Sequence, residues 1–213
     1  MSDGCATMES LRLTDLQAEA LCEIFNVGIG QAANALSEMI GDEVELAVPE
    51  LKCLSIEQAL KQLEIDAPLR LSAVRQRFNG IFSGDALLIF PHNDSLELVR
   101  NILGIELSLD QLSDLEEDAL IEVGNVILNA CFCSISDMLG CELIGDIPRH
   151  FQGPCREIMA TDTMTEVSIV IELSMRFCIP GHNVKGMISF VMTLPELQNF
   201  LETVDDYLSP YNR

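Results

Sequence analysis

The segments EIFNVGIGQAANALSEMIG (23–41) and EVGNVILNACFCSISDMLG (122–140) are two copies of one helical unit, 99 residues apart. The match extends without a gap to residues 13–49 and 112–148, where 13 of 37 paired positions are identical. Average composition would give roughly one identity in fifteen. The chain is therefore an internal duplication, and we expect one domain over residues 1–213 made of two repeats, about 13–104 and 112–203.

Each copy has the pattern of a long amphipathic helix with signals at both ends. A capping box precedes the apolar residues and a glycine follows them: Thr14-x-x-Gln17 with Gly41, and Ser113-x-x-Glu116 with Gly140. The predicted apolar stripe consists of Leu16, Ala20, Ile24 and Val27 in one copy and Leu115, Ala119, Val123 and Val126 in the other. These signals predict helices over about 14–40 and 113–139.

Strand-like segments follow each helix, so the predicted class is α+β with a largely antiparallel sheet. One predicted hairpin has strands 69–78 and 81–90 around Asn79-Gly80, and the other has strands 166–177 and 184–192 around a turn at 180–183. Further helices are expected at about 94–103, at 55–63 and from Pro195. Residues 149–163 give no assignment. The two long helices should pack on a sheet that both repeats share.

Composition narrows the class of protein. The net charge is −22, which argues against nucleic-acid binding because phosphate contacts need a basic surface. The charge favours solubility first and a partner with a basic face second. The start lacks a secretion signal and we find no apolar run long enough to span a bilayer, so we expect a cytoplasmic protein without membrane insertion. The eight cysteines should stay thiols, and their spacing, including Cys131-x-Cys133, predicts no metal site.

A polar strip lies opposite the apolar stripe of both predicted helices. Glu23 and Asn26 are three residues apart and therefore neighbours on one face, as are Glu122 and Asn125. The same strip adds candidate partner-contact residues: Glu19, Gly30, Ser37, Asp118, Asn129 and Ser136. A single Glu-x-x-Asn is more often solvated surface than a site. Its retention in both copies, although Asn is a mediocre helix former, indicates a functional demand.

The side chains in this strip limit the possible chemistry. A carboxylate and an amide without a nearby nucleophile, histidine or metal ligands cannot form a Ser or Cys hydrolase. An amide can, however, hold a water in line with a phosphoryl group, and a carboxylate can orient a cation or accept a proton. An acyl phosphate carried by another protein, with its own metal, would need little more.

The two helical segments, with FNGIFSGDALLIF (78–90), resemble the signature regions of the CheC, CheX and FliY family, and stand-alone CheC in particular. The resemblance implies a phosphatase of CheY-P, the response regulator of chemotaxis. Asn26 and Asn125 would each enter the receiver's active site and position the attacking water, and Glu23 and Glu122 would pair with its lysine. The receiver would hold the Mg²⁺, so this chain would bind no cofactor. CheC-type members can also bind CheD, a receptor-modifying deamidase.

The copies are unequal at two places. Gly30 is replaced by Asn129, and Phe25 stands where the second copy has Gly124. If small residues admit a partner's backbone, Asn129 would crowd the second site and Phe25 the first. The alternatives to a phosphatase are an adaptor that binds CheY-P or CheD with little catalysis, a flagellar-switch component of the FliM type, and a receiver phosphatase outside chemotaxis. Since receivers are acidic at their active sites, association should improve with salt.

Overall fold

Two long helices lie on one face of a seven-stranded sheet. The computed structural model describes residues 13–66, 70–104, 109–161, 168–179 and 182–211. The elements in chain order are α1 (Asp15–Ile40), β1 (Glu45–Ser55), α2 (Ile56–Asp66), β2 (Leu71–Gly80), β3 (Gly84–Pro91), α3 (His92–Leu103), α4 (Leu109–Leu139), β4 (Leu143–Gly145), β5 (Arg149–Gly153), α5 (Cys155–Met159), β6 (Ile169–Ile179), β7 (His182–Met192) and α6 (Leu194–Leu208).

The sheet interleaves the two repeats. Its strand order is β1-β6-β7-β3-β2-β4, and β5 also pairs with β2. All strand pairs in the described residues are antiparallel, which confirms the α+β prediction. The strand after each long helix pairs with the hairpin of the other repeat: β1 joins β6, and β4 and β5 join β2. A single domain of two repeats stays a prediction, and this exchange of strands is the observation in its favour.

The main core lies between the sheet and the long helices. Phe25 of α1 packs on Phe190 of β7 with ring centroids 5.2 Å apart, and Phe132 of α4 packs on Phe78 of β2 at 5.4 Å. A smaller apolar cluster lies on the opposite face of the sheet under α2 and α5. The sheet is therefore covered on both sides, and the long helices keep one face outward.

The two copies begin their long helices differently. The predicted box at Thr14 is present, since Gln17 N donates to Thr14 Oγ1 at 3.2 Å and Thr14 N donates to Gln17 Oε1 at 3.0 Å. The box at Ser113 was a wrong prediction, because α4 begins earlier, at Leu109. Glu116 is instead fully buried and accepts hydrogen bonds from three side chains, those of Ser72, Ser95 and Gln152. The glycine stops are confirmed by the positive φ values of Gly41 and Gly140, +76° and +65°.

The first hairpin turns later than the sequence suggested. Asn79 and Gly80 still belong to β2, where they pair with Ile144 and Leu143 of β4, and the chain reverses over residues 81–83. A Cβ on Gly80 would lie 2.0 Å from the carbonyl oxygen of Glu142. This glycine therefore serves the close approach of β4 rather than a turn.

Most of the other predicted elements are present. The helices expected at 94–103, at 55–63 and from Pro195 are α3, α2 and α6, and residues 149–161 form β5 and α5. The second hairpin is β6 and β7, but residues 180 and 181 of its predicted turn lie outside the described residues. The stretch 162–167 lies outside them too.

The predicted apolar stripe was partly wrong. Leu16, Val27 and Leu115 are 39%, 39% and 42% exposed. The long helices contact each other as well as the sheet, so the buried face is wider and rotated towards Leu21, Phe25 and their equivalents. Exposed apolar side chains therefore lie beside the polar strip.

One described helix, over Leu115–Leu139, has the length and apolar character of a membrane span, with a mean hydropathy of 1.6. The sequence predicted no apolar segment long enough to span a bilayer. Half of the apolar window is buried inside the protein. A helix that packs on both a sheet and a second helix needs this composition for its core face.

Candidate functional site

Both Glu-x-x-Asn pairs lie on the outer surface of the long helices. Glu23 and Asn26 are exposed on α1, Glu122 is exposed on α4, and Asn125 is partly exposed beside it. In α1 the intervening Ile24 and Phe25 are buried, so the pair points away from the core. Each pair thus offers a carboxylate and an amide on adjacent turns of one helix face.

The two long helices cross in an antiparallel sense. Ser134 Oγ of α4 donates to the carbonyl oxygen of Ile24, and Gly28 lies against Cys131, so residue numbers run in opposite directions along the contact. Asn26 is therefore level with about residue 132 of α4. At a rise of about 1.5 Å per residue, Asn125 is displaced by roughly 10 Å along the axes. The two pairs form separate sites.

The first site is open. Gly30, one turn beyond Asn26, is exposed, and a Cβ placed on it would meet no atom of the described residues within 4 Å. Glu19, one turn before Glu23, is also exposed. Space and negative charge therefore surround this pair, with the exposed Val27 at its edge.

The second site contains a hydrogen-bond relay. Asn129 Nδ2 donates to Asn125 Oδ1 at 2.7 Å, and Gln76 Nε2 donates to Asn129 Oδ1 at 3.0 Å. The same Nε2 donates to the carbonyl oxygen of Asp146 at 2.9 Å. The predicted partner-contact residue Asn129 thus bonds to Asn125 within its own site, while Asp118 stays exposed.

Ser37 and Ser136 have internal hydrogen-bond partners at the ends of their helices. Val44 N donates to Ser37 Oγ at 2.9 Å, and Leu143 N donates to Ser136 Oγ at 3.2 Å. Both contacts hold the strand that follows the helix. The identity of these serines in the two copies therefore has a structural explanation, apart from any contact with a partner.

Phe25 and Gly124 do not affect access to either pair, contrary to the expectation from sequence. Both residues are buried and face the sheet. Phe25 packs on Phe190, whereas a Cβ on Gly124 would lie 2.5 Å from Val74. Their difference reflects how closely each helix approaches the sheet. The copies differ at two positions near the pairs, and only the difference between Gly30 and Asn129 makes the two sites unequal.

Sequence reasoning missed Gln76 and the surroundings of Glu116. In LSAVRQRF (71–78), alternate residues face the long helices, and Ser72 and Gln76 are polar at such positions. Polar residues on the core side of a strand need partners, and Glu116 and Asn129 supply them. The polar residues at alternate, core-facing positions of this strand were therefore the sequence feature that could have revealed these contacts.

The described residues contain no group of three or more His, Cys, Asp or Glu side chains suited to a metal ion. Cys131 is buried, and burial raises the pKa of its thiol to about 12, whereas Cys133 is exposed. Burial likewise raises the pKa of Cys53 to about 11. The thiols of Cys131 and Cys53 are therefore poor nucleophiles, and the Glu-x-x-Asn pairs themselves offer carboxylates and amides.

Comparison with known proteins finds similarity in sequence and in fold. The model of the CheC-like family matches residues 16–52, which include the first Glu-x-x-Asn pair. A curated relative, the CheY-P phosphatase CheC of Bacillus subtilis (strain 168), is 23% identical over 135 residues. That match covers 62% of this chain and 64% of the relative, so it spans a little under two thirds of the relative's length.

Solved structures share the fold. FliY from Thermotoga maritima is similar with a TM-score of 0.74 at 18% identity, over 92% of this chain and 98% of that one. The FliM middle domain from H. pylori gives 0.66 at 14% identity, over 90% and 99%. A chain of the CheX-CheY-BeF3-Mg complex from Borrelia burgdorferi gives 0.52 at 16%, over 80% and 96%. The chain is therefore similar in sequence to the CheC-like family over residues 16–52 and to CheC of Bacillus subtilis, and it shares the fold of FliY and of the FliM middle domain.

Proposed function

We propose that this protein is a phosphatase that hydrolyses the aspartyl phosphate of a CheY-like response regulator. The observation that carries the proposal is the Glu-x-x-Asn pair, present twice on outward faces of duplicated helices. The curated relative is named a CheY-P phosphatase, and a fold neighbour was solved with CheY. The protein would act in the cytoplasm, on a partner that carries the phosphoryl group.

The reaction needs little from this chain. Asn26 or Asn125 would enter the receiver's active site and hold a water in line with the phosphorus. The water oxygen bonds to phosphorus as the bond from phosphorus to the aspartate oxygen breaks. The aspartate leaves as its carboxylate, and the water proton passes to phosphate or solvent. Positioning and electrostatic stabilisation supply most of the rate in such transfers.

Glu23 and Glu122 would dock the receiver. Each carboxylate is exposed one helical turn from its Asn, so an ammonium group held there aligns the phosphoryl group with the amide. Mg²⁺ would come with the receiver, as would the acyl phosphate. Because the receiver would supply both the metal ion and the acyl phosphate, a helix face without a nucleophile could accelerate hydrolysis.

The test is the decay rate of a phosphorylated CheY-like receiver with the double variant Asn26→Ala, Asn125→Ala. We expect the acceleration to vanish while the circular dichroism spectrum and melting temperature stay unchanged. Asn199→Ala, at an exposed position of α6, is the matched control and should retain full activity. Normal decay with the double variant would remove these residues from the mechanism.

A second candidate function is that of a binding adaptor. The similarity in fold to the FliM middle domain favours it, because FliM from H. pylori was also solved in a complex with FliG. The adaptor would bind a phosphorylated receiver or CheD without faster decay. A binding titration run beside the decay assay separates the two functions, since an adaptor protects or leaves unchanged the phosphoryl group that it binds.

A further inference from the structure

We infer that Gln76 and Asn129 are positioning residues that hold the Asn125 amide in one orientation and make the second site the faster of the two. This inference rests on the proposed function, because it concerns how Asn125 meets a phosphoryl group or its attacking water. It adds two side chains of the chain's own to the site, one of them buried in the sheet.

The polarity of the relay is set by a backbone carbonyl. The oxygen of Asp146 can only accept, so the Gln76 atom that faces it must be the Nε2 donor. The second N–H of Nε2 then donates to Asn129, which must offer Oδ1. Asn129 Nδ2 in turn faces Asn125, whose Oδ1 accepts. The order of atoms follows from the carbonyl and does not depend on assigning each amide separately.

Gln76 is itself held firmly. Its side chain is 2% exposed, and a Cβ on Gly145 would lie 2.5 Å from Nε2, so the glycine makes room for it. Within the described residues, Gln76 Oε1 is buried without a hydrogen-bond partner. Rotating the amide would place Oε1 against the Asp146 carbonyl, which repels it. The buried Gln76 amide is therefore held in one orientation, even though this leaves its oxygen without a hydrogen bond.

The relay ends at the helix surface. Asn129 donates one N–H of its Nδ2 to Asn125. The Nδ2 of Asn125 and the second lone pair of its Oδ1 stay available to a partner. Donation into Oδ1 polarises the Asn125 amide and strengthens its remaining N–H donor. The second site therefore presents an amide that is already oriented before a receiver arrives.

The first site lacks the relay. Gly30 occupies the position of Asn129, and Met175 occupies that of Gln76 when Arg176-Phe177 is placed on Arg77-Phe78, at the same spacing of 99 residues. Asn26 is exposed and must be ordered when a receiver binds. Ordering one such side chain corresponds to a rate difference of roughly two- to tenfold. We expect the second site to be faster by that factor.

The experiment isolates the second site with Asn26→Ala and measures kcat and KM for phosphorylated-receiver decay. Adding Asn129→Gly or Gln76→Met, which copy the residues of the first site, should lower kcat two- to tenfold and leave KM within a factor of two. In NMR spectra the Asn125 side-chain NH₂ signals should shift and sharpen towards those of a mobile amide. Ile135→Val, on the core face of the same helix and outside the relay, is the control for general destabilisation.

Two results would overturn the inference: an unchanged kcat in both variants, or a fall in kcat matched by Ile135→Val with no change in the NH₂ signals. Should Gln76→Met fail to fold, Asn129→Gly on the helix surface still decides. The proposed function fails separately, if adding Asn125→Ala to Asn26→Ala leaves decay acceleration intact. In that case no effect of Asn129 on catalysis is expected either, and the NMR shift alone would persist.

Discussion

Gly28 of α1 lies directly against the backbone of Ala130 in α4. A Cβ on Gly28 would come within 2.9 Å of the Ala130 carbonyl oxygen and within 3.1 Å of both Cys131 Cα and Ser134 Cβ. Ser134 Oγ donates to the Ile24 carbonyl in the same crossing. The two helices that carry the candidate sites thus approach closely at Gly28 and are joined by the hydrogen bond of Ser134. Their separation sets where both amides stand relative to each other.

Replacing Gly28 should therefore cost stability. Gly28→Ala gains about 1 kcal/mol of helix propensity but forces two backbones apart, and overpacking of this kind costs about 1–3 kcal/mol. We expect a net loss in the free energy of unfolding, measured by urea denaturation. Gly30→Ala is the matched control: it meets no described atom within 4 Å, so it should stabilise the protein by up to about 1 kcal/mol. Equal effects of the two changes would contradict the crossing described above.

Glu116 should be among the most sensitive residues of the fold. Its carboxylate is fully buried and accepts hydrogen bonds from the side chains of Ser72, Ser95 and Gln152. Glu116→Ala leaves those donors without an acceptor and opens a cavity, so we expect a loss of about 3–5 kcal/mol in urea unfolding. Glu117→Ala, at the exposed neighbour, should change stability by less than about 0.5 kcal/mol. A small effect at both positions would show that the cluster is not holding α3 and β5 to α4.

The same cluster makes stability depend on pH through His150. Burial lowers the pKa of His150 below 6.5, opposed by the charges of Glu116 and Glu117 and assisted by His92. Because the folded-state pKa is the lower one, the unfolded chain binds more protons as the pH falls. The stabilisation is complete above pH 6.5 and is lost as the pH falls through the folded pKa.

The measurement is the urea midpoint between pH 7.5 and 5.5, for wild type and for His150→Gln. The net charge of −22 also shrinks on acidification and acts on both proteins, so the difference between them isolates the histidine. We expect the wild type to lose stability relative to the variant as the pH falls. A difference that stays constant, or that moves the other way, would place His150 outside this linkage.

Sequence patterns located most elements because each has a local signal. The Thr14 box and the glycines at 41 and 140 carry their own hydrogen-bond and φ requirements, so they could be recognised without tertiary information. The second box failed since Ser113-x-x-Glu116 satisfies the same pattern while Glu116 is used in the core. A capping motif does not reveal whether its acidic residue has a better partner elsewhere.

The candidate site was recognisable for a different reason. Comparing the copies separated Glu-x-x-Asn from neighbours that had diverged, which a single helix could not do. The relay could not be found this way, because Gln76 is far from Asn129 in sequence and the strand exchange that brings β2 beneath α4 leaves no local trace. The role given to Phe25 was wrong for a related reason: it came from the difference between Phe25 and Gly124 in the two copies, and the sheet contact with Phe190 was not visible in the sequence.

Association with an acidic receiver should become faster as salt is added. Each site carries a second exposed carboxylate one turn before its Glu, Glu19 in the first and Asp118 in the second, in a chain of net charge −22. Long-range repulsion then slows encounter until ions screen it, and the Debye length falls from about 30 Å at 0.01 M to about 10 Å at 0.1 M. Stopped-flow association rates should rise several-fold over this range.

The double variant Glu19→Gln, Asp118→Asn should raise the association rate at low salt and flatten its dependence on salt, because it removes repulsion but leaves the Glu-Asn pairs in place. A rate that falls steeply with salt would instead mean that the receiver meets these helices through a basic face, with Glu19 and Asp118 attracting it.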